Sequence, residues 1–192
     1  LGVNIKFPSN FSGSPYTLIA SGVAALPQKF DFPFSLMNTP GATIPGISPM
    51  YNEVMPGWVL SDNIYMIMRN EGKYNKRNKA KREKFIFDVF RPDTVALMQG
   101  ARKRLQSASG KEIYTEKDIK GIGKNYMSES ARVNGIEAYT FYIQYYALKG
   151  LLKKMAGGAD AKTILSKKCD CATWENQREI LAAEFAGETC VK

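Results

Sequence analysis

The sequence predicts an α+β fold, with a β-rich N-terminal segment followed by a bundle of four to five helices. Two features of the chain carry that reading. Eight of the nine prolines lie before residue 61, among short β-forming runs, where they mark turns and sheet edges. Beyond Ser61 the apolar residues recur at intervals of three and four, the spacing of one helix face. With 192 residues, 44% of them hydrophobic and 23% charged, the chain can bury a core and lacks the composition of a disordered protein. Three segments follow: residues 1–60, β-rich; residues 61–158, helical with a basic stretch at 69–84; and residues 159–192, a linker and a last helix.

In the first segment the extended runs are Tyr16 to Ala20, Phe30 to Met37 and Ala42 to Ile47. Ser14-Pro15, Pro40-Gly41, Pro45-Gly46 and Pro56-Gly57 separate or follow them as turns. Inspection for repeats of 20 to 50 residues finds none. Ser61 or Asp62 can cap a helix through Ile64, Ile67 and Met68. The alternation of Lys84 to Phe90 predicts a strand, and Pro92-Asp93-Thr94 opens a helix carrying Val95, Met98 and Leu105, with Gly110 at its end. Thr115 and Asp118 form a variant capping box, which predicts a short helix before Gly121 and Gly123.

The longest predicted helix runs from Ile136 to Met155, stopped by Gly157-Gly158. It is apolar on two faces: Phe141, Tyr145, Leu148, Leu152 and Met155 form one stripe, and Ile136, Tyr139, Ile143 and Tyr146 the other. Either the helix is central, or one stripe meets another subunit or another part of the protein; we expect the second. Helical spacing assigns the four tyrosines to core or interface ahead of base stacking. A final helix, Thr173 to Ala186, is expected to dock Trp174, Ile180, Leu181 and Phe185.

Charge is uneven. The net charge is +9, and residues 61–110 hold twelve basic against five acidic side chains. Arg69, Lys73, Lys76, Arg77, Lys79, Lys81 and Arg82 are the candidate anion-binding residues, because clustered cations attract phosphates or acidic surfaces. A solvated basic surface is the competing reading. Nucleic acid is disfavoured as a ligand, since no RNP, KH or Cys/His motif is spelled out. Gly121-Ile122-Gly123-Lys124-Asn125 lacks the spacing of a phosphate loop.

The chain contains no histidine, which removes Ser-His-Asp and Cys-His catalysis and His metal ligation from these residues. No pair of carboxylates has spacing that proposes an acid/base couple. We therefore name no catalytic residue, metal or cofactor. Cys169-Asp170-Cys171 is half of a zinc pattern without its other half. Three cysteines suit a reducing, cytoplasmic setting. No apolar run is long enough for a membrane span, and Leu1 in first place without a leader pattern reads as a start inside a longer gene product.

The order of LPQKFDFPFSLM (26–37), Ile44-Pro45-Gly46, KYNKRNKAKR (73–82), FDVFRPDTVALMQGARKRL (87–105) and the tyrosine-rich helix resembles the C-terminal region of a bacterial family of left-handed parallel β-helix proteins of unknown reaction. That family is distantly similar to hexapeptide-repeat sugar acyltransferases and sugar-nucleotide enzymes. The resemblance implies that residues 1–60 hold the last turns of a β-helix and the remainder a helical cap. It further implies a homo-oligomer, a trimer in the related enzymes, with a nucleotide-sugar or other phosphorylated ligand. The enzymes' histidine base has no counterpart here, so no catalytic residue is carried over.

Overall fold

A computed structural model describes residues 2, 4–6, 9–82, 87–158, 160–166 and 171–186. The architecture is mixed α+β, and its first part rests on repetition. Strands β1 (Ser9–Asn10) and β3 (Gln28–Lys29) pair in parallel, Ser9 beside Gln28, and β2 (Leu18–Ile19) and β4 (Leu36–Asn38) pair in parallel, Leu18 beside Leu36. An isolated parallel bridge joins Lys6 to Ala24. The amide of Gly2 donates to Ile19 O at 2.9 Å and that of Ala20 to Met37 O at 2.9 Å. The strand and bridge partners lie 18 or 19 residues apart and the two hydrogen bonds span 17, the offset of a parallel ladder, so the chain returns to the same position after each circuit of about 18 residues. The described residues between 2 and 38 thus form two stacked coils.

The side chains repeat with the backbone. Pro15-Tyr16-Thr17-Leu18-Ile19 in the first coil lies over Pro33-Phe34-Ser35-Leu36-Met37 in the second. Tyr16 stacks on Phe34 with ring centroids 5.0 Å apart, and Phe11 meets Phe30 at 5.3 Å. Each such aromatic pair contributes about 0.5–1.5 kcal/mol beyond its burial. The corners repeat too: Tyr16 and Phe34 have φ of 61° and 55°, Asn4 and Gly22 φ of 55° and 79°. A left-handed backbone costs a residue with a Cβ about 1–2 kcal/mol. The stack offsets that cost at Tyr16 and Phe34, while Gly22 avoids it.

The stack differs at its two ends. On the far side of the second coil, β4 pairs antiparallel with β5 (Asn52–Met55), which ends the parallel progression. Strand β7 (Asn125–Ser128) joins β5 in parallel and β6 (Ile113–Thr115) joins β7 antiparallel, giving the sheet order β2-β4-β5-β7-β6. Two strands from residues 61–158 therefore complete a sheet begun in residues 1–60. Around the second coil Val23, Phe30, Phe34 and Met37 are wholly buried, whereas Ile5, Phe11, Tyr16 and Leu18 of the first are only half-buried.

Among the described residues six helices follow or interleave: α1 (Trp58–Ser61), α2 (Ile64–Arg77), α3 (Pro92–Gln106), α4 (Glu129–Met155), α5 (Ala161–Ser166) and α6 (Ala172–Glu184). Helices α3 and α6 pack on α4 and on each other, α1 and α5 also contact α4, and α4 in turn packs on β5 and β7 of the sheet. The Tyr139 hydroxyl donates to Pro33 O at 2.6 Å, tying α4 to the second coil. Gly135 lets α4 approach Pro56 closely; a Cβ there would sit 3.0 Å from Pro56 O. Arg102 of α3 and Glu184 of α6 form a bidentate ion pair that fastens both around α4.

Several expectations change. Helix α4 begins seven residues earlier than the apolar stripe predicts, because Ser128 Oγ accepts from the Ala131 amide at 3.2 Å and caps it. Helix α2 starts after Asn63 and uses neither Ser61 nor Asp62 as its cap. Thr115 and Asp118 close a turn instead of opening a helix: Asp118 Oδ2 accepts from the Thr115 amide at 3.0 Å. Residues 87–90 are not a strand, and 84–86 lie outside the described residues. Helix α6 docks Trp174, Ile180 and Leu181 as its spacing predicts.

Candidate binding cleft and basic face

The seven candidate anion-binding residues form an outer face. Arg69, Lys73, Lys76 and Arg77 follow one another on α2 at helical spacing, and Lys79, Lys81 and Arg82 extend the run beyond it. All are exposed except Lys73, which is half-buried. Among the described residues none of the seven is in an ion pair. Tyr74 stacks on Phe87 with centroids 4.1 Å apart, so the chain returns to α2 after the basic run.

None of these cations lines the broad concavity along α4. That cleft, ≈ 1300 Å³, runs along α4 between Ile64, Met68 and Glu71 of α2, the 88–93 turn, and Trp174 and Gln177 of α6. Its aromatic wall belongs to a continuous stack rising from the coils. Tyr16 lies on Phe34, Phe34 on Phe90 at 6.1 Å and 19°, and Phe90 on Tyr142 at 5.6 Å and 8°. Tyr145 meets both Phe90 and Tyr142 edge-on. Three chain segments far apart in sequence thus build one wall, which explains why residue spacing within any one of them does not reveal it.

The polar lining of the cleft combines the carboxylates Glu71, Asp88 and Asp93 with Arg91, Lys149, Lys153 and Lys154. Arg91 donates to both oxygens of Asp93, at 3.0 and 2.9 Å, and to Asp88 O, holding the turn into α3. This guanidinium keeps the Asp93 carboxyl below its usual range. Lys149 lies over the Tyr145 ring at 5.9 Å and Lys154 over Trp174 at 5.8 Å, distances at which a cation is attracted to the ring face. Tyr146 is 3% exposed, and burial first, then Cys171 and Asp93, push its phenol up to about 12. At neutral pH it is a hydroxyl and not a base. The cleft thus has apolar and aromatic faces with ammonium and carboxylate groups along its sides.

The glycine loop at 121–123 is already occupied from within. The amides of Gly121 and Gly123 donate to Glu116 Oε2 at 3.0 and 2.6 Å, so a carboxylate of the chain sits where a phosphate would. Of the cysteines only Cys171 is described, and it lies at the cleft with an exposed thiol; Cys169 and Cys190 lie outside the described residues. Among the described residues no group of three or more His, Cys, Asp or Glu is placed to hold a metal ion, and no helix is long and apolar enough to cross a membrane. Comparison with protein-family models, with curated proteins and with solved structures finds no match.

Proposed function

We propose that this chain is the capping end of a parallel β-helix, a role in assembly more than in catalysis. The observation that supports it is the 18-residue register of residues 2–38, repeated in strands, aromatic pairs and left-handed corners. A stack of this kind grows by adding coils to a parallel edge. Here one edge is stopped by the antiparallel β5 and covered by α4. The other carries half-buried Ile5, Phe11, Tyr16 and Leu18, apolar groups suited to a further coil. In this reading the helices close the stack, the trimer implied by the resemblance forms along the coils, and the basic face offers contacts to a phosphorylated ligand.

The test adds a coil. A copy of residues 20–37 joined directly ahead of Gly2, in place of Leu1, continues the register. The proposal expects a higher Tm, with the amides around Phe11 and Tyr16 newly protected from hydrogen exchange. An added segment that stays protease-sensitive and leaves Tm unchanged would refute an edge able to accept a coil.

A second reading, a binding module for acidic macromolecules, is favoured by the exposed cations of 69–82, which have no ion pairs among the described residues. Loss of polyanion binding when Lys76, Arg77, Lys81 and Arg82 become Ala would support it.

A further inference from the structure

Four strands set polar side chains in one transverse row. Asn38 of β4 lies beside Glu53 of β5, Glu53 beside Tyr126 of β7, and Tyr126 beside Thr115 of β6. Register partners share a face of the sheet, and the next residue along each strand takes the other face. Those alternates, Met37, Val54, Met127 and Tyr114, are buried in the core, so the row belongs to the outer face. Tyr126 is nevertheless only 4% exposed. The loop between β4 and β5 folds over it, and Pro40, Ile44, Ile47, Ser48 and Tyr51 close a cavity of ≈ 260 Å³ against its side chain.

Two polar groups of the row lack partners. Among the described residues the half-buried Glu53 carboxylate forms no ion pair and no side-chain hydrogen bond, although the chain carries 27 Lys and Arg. The Tyr126 hydroxyl has no hydrogen-bond partner among them either. Burial first, then Glu53, raises the Tyr126 phenol, so the two groups lie within electrostatic reach of each other. At the far end of the row the equivalent need is met inside the chain: Asp118 accepts from Thr115 and pairs with Lys111. Withdrawing polar groups from water without a partner costs stability, and here the unpartnered groups adjoin a cavity.

Their chemistry selects the ligand. A carboxylate only accepts hydrogen bonds and a neutral phenol can accept, so the group that joins them must donate. No charged residue lines the cavity, which leaves Glu53 to set its sign; Lys124, two residues before Tyr126, is exposed and in no ion pair among the described residues. The rings of Tyr51 and Tyr126 attract a cation to their faces, and Ile44 and Ile47 offer cover to a short hydrocarbon. The volume falls below the roughly 300–1,000 Å³ of sites for drug-sized ligands, so the ligand is compact.

We infer that the cavity beneath the 40–51 loop binds a compact organic amine, its ammonium held between the Glu53 carboxylate and the Tyr126 hydroxyl and its apolar body against Ile44 and Ile47. The inference is independent of the capping role and of the basic face.

The probe is n-butylamine, an ammonium ion at neutral pH, titrated into the isotope-labelled whole chain and followed by amide chemical shifts. The expected result is saturable shifts at Thr43, Ile47, Ser48 and Tyr126, with 1-butanol at least about tenfold weaker and butyrate without effect. Glu53→Gln should lower the affinity for butylamine to that for butanol, and Tyr126→Phe should lower it less. Both variants should keep the circular dichroism and Tm of the parent, because neither side chain bonds to another in the described chain. No saturable shift, the result if water alone fills the cavity, overturns the inference. Equal affinity for butylamine and butanol does so too, as does unchanged affinity in Glu53→Gln. A lowered Tm in Glu53→Gln also overturns it, since the carboxylate would then have its partner within the chain.

Discussion

The two coils and helix α4 bury side chains by different rules. In the coils a residue is covered by its equivalent one circuit later: Phe11 by Phe30, Tyr16 by Phe34. Strands of two or three residues suffice, because neighbouring circuits supply what each lacks. In α4 the period is that of the helix, and cover comes from unrelated elements: the second coil through Pro33, α3, α6 and the β5–α1 turn. The first coil is therefore only half-buried at Ile5, Phe11, Tyr16 and Leu18, whereas α4 leaves one whole face bare.

The largest effects should fall where α4 is covered. Ile143→Ala, at a wholly buried position, should cost about 2–5 kcal/mol in denaturant unfolding. Leu148→Ala, at 41% exposure, should cost under about 1 kcal/mol in the same measurement. Equal losses would mean that the chain already covers both stripes, and the contrast between the faces would disappear.

An intermediate effect is expected at the pair joining α3 to α6. The Arg102 guanidinium holds the Glu184 carboxyl below its ordinary value. Glu184 therefore adds stability that is complete above the ordinary carboxylate range, about pH 4–5, and is lost as pH falls through its lowered value. Acid titration followed by Trp174 fluorescence should report loosening of α6 below about pH 4, and Glu184→Gln should flatten that limb. A Gln variant with an unchanged acid limb would assign the loosening elsewhere.

Smaller effects belong to the corners and the basic face. Gly22→Ala should lose about 1 kcal/mol from its left-handed φ alone, since nothing lies within 4 Å of the added Cβ. Gly22→Asn should lose less, because Asn tolerates that conformation and Asn4 already occupies the equivalent corner. Converting Lys76, Arg77, Lys81 and Arg82 to Ala should shift Tm little, as exposed cations contribute little to stability. A large drop would make the basic face structural.

The sequence displayed α2, α3, α4 and α6 well, because Ile64 and Ile67, Val95 and Met98, and the two stripes of α4 each mark a face within one segment. It hid the coils. Their period of 18 lies just below the repeat lengths sought, and only Pro15 to Ile19 against Pro33 to Met37 shows it plainly, with an extra residue near Pro27 breaking the register. The basic run was legible because its charges are contiguous. The cleft was not, because Phe90, Tyr142 and Trp174 come together only through folding.

The coil register is tested most directly by changing the circuit length between its two copies. Inserting a second copy of residues 20–37 after Met37, an 18-residue step, should yield a protein with native circular dichroism and a Tm close to or above that of the parent. Trimming the same insert by three residues should unfold it. Equal tolerance of both lengths would contradict the stacked-coil account.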